Sequence, residues 1–180
     1  QVRSCTSVLV KPATLVSEDI LLELVEGKRF VSRGGEKLEA ALNNFSLSAK
    51  GLRCLDIGAS TGGFTDCLLQ NGALSVLAVD VGRGQLHNKL ARDDRVTLLE
   101  RMNARDISSL PPIDFFVVDV SFISLRTILP VIAKYMDDET PGVVLLKPQF
   151  EAKRSDVPKG GVIIDENIRS DVHKSFLNWL

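Results

Sequence analysis

The chain has 180 residues, 44% of them hydrophobic, enough for one α/β domain with a sizeable core and too few for two full domains. Its 22 basic and 23 acidic side chains leave a formal charge of −1, so no globally basic field exists and any nucleic acid must be held by a local patch. No apolar run approaches the ~20 residues of a membrane span, and no secretory signal is expected at the front.

The odd set of Cys5, Cys54 and Cys67, without a CxxC, suggests neither a disulfide framework nor a zinc site. Cys54 and Cys67 read as small core residues, which fits a reduced, cytoplasmic setting. The chain opens without Met and stops inside an amphipathic stretch, SFLNWL, so both ends are expected to be cut from something longer.

In chain order, residues 8–25 hold two short apolar runs, VLV and ILLELV, which read as a small β-rich piece. EGKRFVSRGG follows as a basic linker. Ser32 is the expected cap of a helix over EKLEAALNNF, with Leu38, Ala41, Leu42 and Phe45 at helical spacing. A regular alternation then begins: strand GLRCLDIG, helix GGFTDCLLQNG, strand LSVLAVDVG, short helix GQLHNKLARD, strand RVTLLER, strand IDFFVVDVSF, helix SLRTILPVIAKYM with Pro130 expected to kink it, strand GVVLLKPQF, and a last helix NIRSDVHKSFLNWL. The strands are apolar on both faces, as buried parallel strands are. The expected fold is a doubly wound, Rossmann-like, mostly parallel α/β sheet with a short β-rich piece before it. In such sheets the ligand lies beyond the carboxyl ends of the strands, which directs attention to Asp56, Gly58, Asp80, Glu100, Asn103, Asp119 and Lys147.

Between the first sheet strand and its helix stands GASTGG, Gly58 to Gly63. It lacks the Lys of a phosphate-binding GxxxxGK[ST] loop, because Phe64 follows Gly63. Ser60 stands where the dinucleotide fingerprint needs a second Gly. A ligand without phosphates fits better: the amino-acid end of S-adenosylmethionine at the loop, where the amides of Gly62 and Gly63 open a helix toward a carboxylate. Asp80 lies 22 positions after Gly58, close to the ~20-residue spacing of a ribose-binding acid. The expected cofactor site is Asp56, the loop residues Gly58, Ala59, Ser60, Gly62 and Gly63, then Asp80, Asn103 at the adenine edge, and Asp119.

At the fourth sheet strand, DVSF lacks the two prolines of amine-methylating enzymes, and no cysteine stands there for cytosine-C5 chemistry. Lys147 ends the neighbouring strand. Across a sheet spacing of ~4.8 Å it can pair with Asp119. Such a pair suits removal or electrostatic stabilisation of a hydroxyl proton.

SRGGEKL, LDIGASTGGFTDCLLQNGA, VDVGRGQL, RMNARD, DVSFISL and LLKPQFE together resemble the TlyA / hemolysin A family of FtsJ-like rRNA methyltransferases, over roughly residues 29–165. The resemblance implies 2′-O-methylation of ribosomal RNA with S-adenosylmethionine, at cytidine riboses of ribosomal subunits in the best-known members, without a metal. It implies that residues 1–27 are the tail of an S4-type RNA-binding domain and 28–180 the methyltransferase domain. Of the family's Lys-Asp-Lys-Glu catalytic set, Lys37, Asp119 and Lys147 match. The Glu belongs to strands past the end of this chain, and Glu151 does not match its position. Lys28, Arg29 and Arg33 are candidate phosphate contacts, with Lys153, Arg154 and Lys159 a second patch. His87 and His173 have no expected catalytic role. Two rivals accompany this reading: a hemolysin acting on membranes, for which no insertion segment is evident, and a non-catalytic RNA-binding module, against which Asp56, Gly58, Asp80, Asp119 and Lys147 all stand intact.

Overall fold

The structure, a computed structural model, describes residues 29–180 continuously and, ahead of them, residues 2–4, 7–9, 15, 17, 19, 20 and 22–24. Three short antiparallel strands, β1 (Val2–Ser4), β2 (Ser7–Leu9) and β3 (Leu22–Leu24), pair in the order β2-β1-β3. β2 overlaps the first apolar run, β3 lies within the second, and β1 lies ahead of both. Lys28 and Cys5 lie outside the described residues.

Helix α1 (Gly34–Asn44) begins two residues before its expected start; its N-cap position is Arg33 rather than the expected Ser32, whose Oγ accepts the Gly34 amide at 3.3 Å from one residue further out. Leu38 and Leu42, one turn apart, are both buried, each stabilising the fold by about 2 kcal/mol. Phe45 does not join that face. The helix has ended there, and the ring is 68% exposed.

The main sheet contains β4 (Arg53–Ile57), β5 (Ser75–Val79), β6 (Val96–Leu99), β7 (Phe115–Val118) and β8 (Gly142–Val144) in the order β6-β5-β4-β7-β8, with every neighbouring pair parallel. Parallel strands need crossovers, supplied by α2 (Gly63–Gln70), α3 (Asn88–Ala91) and α4 (Leu125–Ala133). Then come α5 (Pro148–Glu151) and α6 (Glu166–Leu177). Alternation along β4 divides the core: Cys54 joins Leu38, Leu42, Leu68 and Phe115 on one face, while Leu55 and Ile57 join Val79, Ile128 and Ile132 on the other. Burial pushes the Cys54 and Cys67 thiols up to about 12, consistent with packed, unreactive residues. At the amino ends of β4 and β7, Arg53 Nε and Nη2 both bond the Asp114 carboxylate, at 2.7 and 2.6 Å.

Other expected boundaries shift as well, and α3 starts at Asn88 rather than Gly84. The strand expected over GVVLLKPQF stops at Val144, and Pro148 opens α5 at its first turn, where a missing amide costs nothing. Helix α4 contains Pro130 and ends at Ala133, short of the expected Met136. The order in which successive strands are added to the sheet reverses between β4 and β7, parallel neighbours at its centre, so their carboxyl ends flank the crevice of a doubly wound fold.

Candidate functional site

The crevice is shaped first by backbone. Gly58 leaves β4 at φ +86°, its amide bonded to Val79 O at 2.8 Å. A Cβ there would stand 2.6 Å from the carbonyl oxygen of Asp119, so only glycine lets the ends of β4 and β7 meet this closely. Ser60, also at positive φ (+49°), donates its amide to Asp80 Oδ2 at 2.8 Å, while Asp80 Oδ1 accepts the Gly82 amide at 2.7 Å. Asp80 therefore braces the loop with one lone pair on each oxygen and retains others for a ligand. Gly62 is at φ +93°, its amide bonded to Ala59 O at 2.7 Å, and its missing side chain makes room for Leu86 and Leu90. It shapes the loop and lines neither cleft described below, whereas Gly63 does.

Asp56 sits behind the loop, fully buried. Its Oδ2 accepts from Thr65 Oγ1 at 2.6 Å, and its Oδ1 has no partner. Burial pushes this carboxyl up to about 7. Hydrogen bonds from Thr65 oppose the rise, and the nearby charges of Asp119 and Asp80 add to it.

Two clefts open on either side of the Gly58–Asp119 contact. The larger, about 820 Å³, is lined by Arg33 and Lys37 from the start of α1, by Gly58, Ala59, Ser60 and Gly63 of the loop, and by Asp119, Ser121 and Lys147. The second, about 470 Å³, runs past Asp80, Val81, Met102 and Asn103 to Phe122 and shares Gly58, Ser60, Asp119 and Ser121 with the first. Asn103 caps a short 3₁₀ turn, its Oδ1 accepting the Arg105 amide at 3.0 Å. At the junction, Lys147 Nζ lies 2.5 Å from Asp119 Oδ1, each side chain 20% exposed. The same Nζ donates to Ser121 Oγ at 3.0 Å.

The fold thus brings Lys37, Asp119 and Lys147 to one cleft from three distant stretches of sequence. Arg33 lines it too. Arg29 does not: it is paired with Glu39 and lies 5.1 Å from the centre of the Phe30 ring. His87 caps α3 through Nδ1. Ser121 and Phe122 were not among the expected site residues. Phe122 is 92% exposed, holds φ +64°, and places its ring 5.3 Å from that of Phe150. The signal was present in DVSF, where an aromatic residue remains even though the prolines expected to precede it are missing.

The family model of FtsJ-like methyltransferases matches residues 30–180, the stretch that builds both clefts. The chain belongs to the FtsJ-like methyltransferase family. It is 49% identical over 157 residues to "Hemolysin A" of Brachyspira hyodysenteriae, covering 84% of this chain and 65% of that protein. It is 46% identical over 166 residues to the "16S/23S rRNA (cytidine-2'-O)-methyltransferase TlyA" of Mycobacterium tuberculosis, covering 89% of this chain and 62% of that protein. A solved structure from Streptococcus thermophilus, named as a candidate hemolysin, matches at 46% identity and a TM-score of 0.81, covering 89% of this chain and 60% of that one. The FtsJ-like chain spans 65% and 62% of the lengths of those two curated relatives. Family membership implies S-adenosylmethionine as cofactor.

Proposed function

We propose that this FtsJ-like domain transfers a methyl group from S-adenosylmethionine to a ribose 2′-hydroxyl of ribosomal RNA, at a cytidine, within ribosomal subunits in the cytoplasm. The observation that carries the reading is the Lys147–Asp119 pair at the junction of the two clefts. The second cleft fits the cofactor: a carboxylate, Asp80, for ribose hydroxyls; the apolar walls of Val81 and Met102 with Asn103 for a purine; and the loop from Gly58 to Ser60 leading toward Gly63 for the amino-acid end. Asp56 contributes from behind the loop. When bound, the cofactor supplies a sulfonium-activated methyl carbon.

The remaining chemistry belongs to this chain. Lys147 has three N–H donors. Ser121 takes one, and Asp119 is ion-paired with the ammonium, which leaves a donor for an acceptor oxygen in the larger cleft. That donor stabilises the negative charge that develops as the hydroxyl attacks, and the hydroxyl proton passes to the Asp119 carboxylate of the pair. Asp119 fixes the position and charge of Lys147. Lys37, across the cleft, holds the substrate or completes the network.

Arg33 at the cleft, with Lys28 and Arg29 a few positions before it in the sequence, is suited to RNA phosphates. Phe122 offers a stacking face for an unstacked base. In this reading residues 1–27 are the tail of an S4-type RNA-binding domain and residues 28–180 the methyltransferase domain. Calorimetric titration with S-adenosylmethionine, followed by labelled methyl transfer to undermethylated ribosomal subunits, tests it. No cofactor binding sinks the enzyme reading, and binding without transfer favours an RNA-binding module.

A further inference from the structure

We propose that Glu151 is a positioning residue: it fastens the loop bearing Asp119 and Ser121 to the helical turn that follows Lys147, and so sets the geometry of the Lys147–Asp119 pair. The inference rests on the methyl-transfer reading above. Glu151 closes α5, four residues after Lys147. Its side chain is only 2% exposed, and a carboxylate so withdrawn from water must be paired and hydrogen-bonded. All its partners lie on one stretch. Glu151 Oε2 accepts from Ser124 Oγ at 2.6 Å, Oε1 accepts from the Leu125 amide at 2.6 Å, and Arg126 Nε lies 3.8 Å from Oε2.

These partners begin three residues past Ser121 and five past Asp119. The two segments are thus tied twice: by Lys147 to Asp119 and Ser121 at the cleft, and by Glu151 to Ser124 and Leu125 behind it. The sheet does not supply the second tie. β8 ends at Val144, and the Leu145 amide makes a bond to Val118 O at 2.9 Å where the ladder runs out. Beyond it, α5 is internally braced, with Phe150 N on Lys147 O at 2.9 Å and Ala152 N on Pro148 O at 2.8 Å, so the position of Glu151 is transmitted to Lys147.

Capping alone does not account for the arrangement. Ser124 already caps α4, its Oγ accepting the Arg126 amide at 3.1 Å. A buried carboxylate from a distant segment costs desolvation that a local cap avoids. What it adds is a fixed distance between two loops, one of which carries a non-glycine residue at positive φ, Phe122. Arg126 extends the brace, stacked 5.5 Å from the ring of Trp179 and 5.9 Å from that of Phe176.

The test uses the full protein with Glu151→Ala, Glu151→Gln and Ser124→Ala. It reads single-turnover transfer to undermethylated subunits, cofactor Kd by calorimetry, and the ¹⁵Nζ resonance of Lys147, assigned with Lys147→Arg. Glu151→Ala should slow transfer by about 10²-fold, the scale of a small misplacement of reacting groups, with the cofactor Kd essentially unchanged and the Lys147 resonance moved. Glu151→Gln should recover most of the rate, since its amide can accept from Leu125 and donate to Ser124. Ser124→Ala, which keeps the Leu125 bond, should fall between, and it carries the test alone if Glu151→Ala does not fold. Wild-type rates in the alanine variants, equal losses of rate and cofactor affinity, or an unmoved Lys147 resonance would overturn the proposal. A wild-type protein that transfers nothing, while the Lys147 resonance still responds to Glu151, would sink the reaction and leave the positioning role standing.

Discussion

The two clefts are built by different means. The cofactor side is a backbone construction: Gly58, Ser60 and Gly62 hold left-handed conformations, and one carboxylate, Asp80, bonds two amides that keep the loop in place. The acceptor side is a side-chain construction, with Lys37 from α1, Asp119 past β7 and Lys147 past β8 meeting only because the strand order sets those segments beside one another. The first fails when backbone is disturbed and takes the fold with it. The second can lose its chemistry while the fold and the cofactor cleft stay intact.

The sharpest way to separate them is Lys147→Ala. It should cut methyl transfer by about 10²–10⁴-fold, the usual contribution of a positioned proton-transfer group, and leave the cofactor Kd nearly unchanged in calorimetry. Loss of both would mean that the two sides are not independent.

A second effect lies on the cofactor side and is read without substrate. The Asp56 carboxyl is pushed up to about 7, above its ordinary range, because it is buried. The folded state therefore holds a proton that the unfolded state releases. Stability is greatest below about pH 4 as far as this group is concerned, and it declines as pH rises toward and through 7, by a few kcal/mol at most. Asp56→Asn should flatten that slope in thermal melts between pH 5 and 8. An unchanged slope would show that Asp56 is ionised throughout.

Gly58→Ala comes next. The new methyl group meets the Asp119 carbonyl in a left-handed conformation, so stability should fall by about 1–3 kcal/mol. Both cofactor binding and transfer should fail, because this contact is the hinge between the clefts. Urea titration and calorimetry check it.

The smallest effects belong to the basic rim. Arg33→Ala should weaken RNA binding and lower its salt slope by about 1. Arg29→Ala should do less, because its guanidinium is already engaged by Glu39 and Phe30. Filter binding across a salt series distinguishes them.

The same division explains what could be read from the chain. The loop and its acid lie within one βαβ stretch, so spacing alone exposed Gly58 and Asp80. The parallel sheet was legible because its strands are apolar on both faces. Lys147 and Asp119 were legible as strand-end residues, and their contact followed from neighbouring strands. What escaped depends on tertiary packing. Phe45 keeps helical spacing but lies past the helix end. The apolar run after Gly142 continues beyond the last ladder bonds, so its strand looked longer than it is. Gly62 resembles an anion-binding helix start, yet its amide is used within the loop. Phe122 and Glu151 owe their surroundings to segments that no local pattern connects.

The central claim is that the Lys147–Asp119 pair serves a ribose hydroxyl. Labelled methyl transfer from S-adenosylmethionine to undermethylated ribosomal subunits, followed by digestion to nucleosides, tests it most directly. The account predicts label in 2′-O-methylcytidine, lost with Lys147→Ala. Label on a base, or label that survives that substitution, would contradict it.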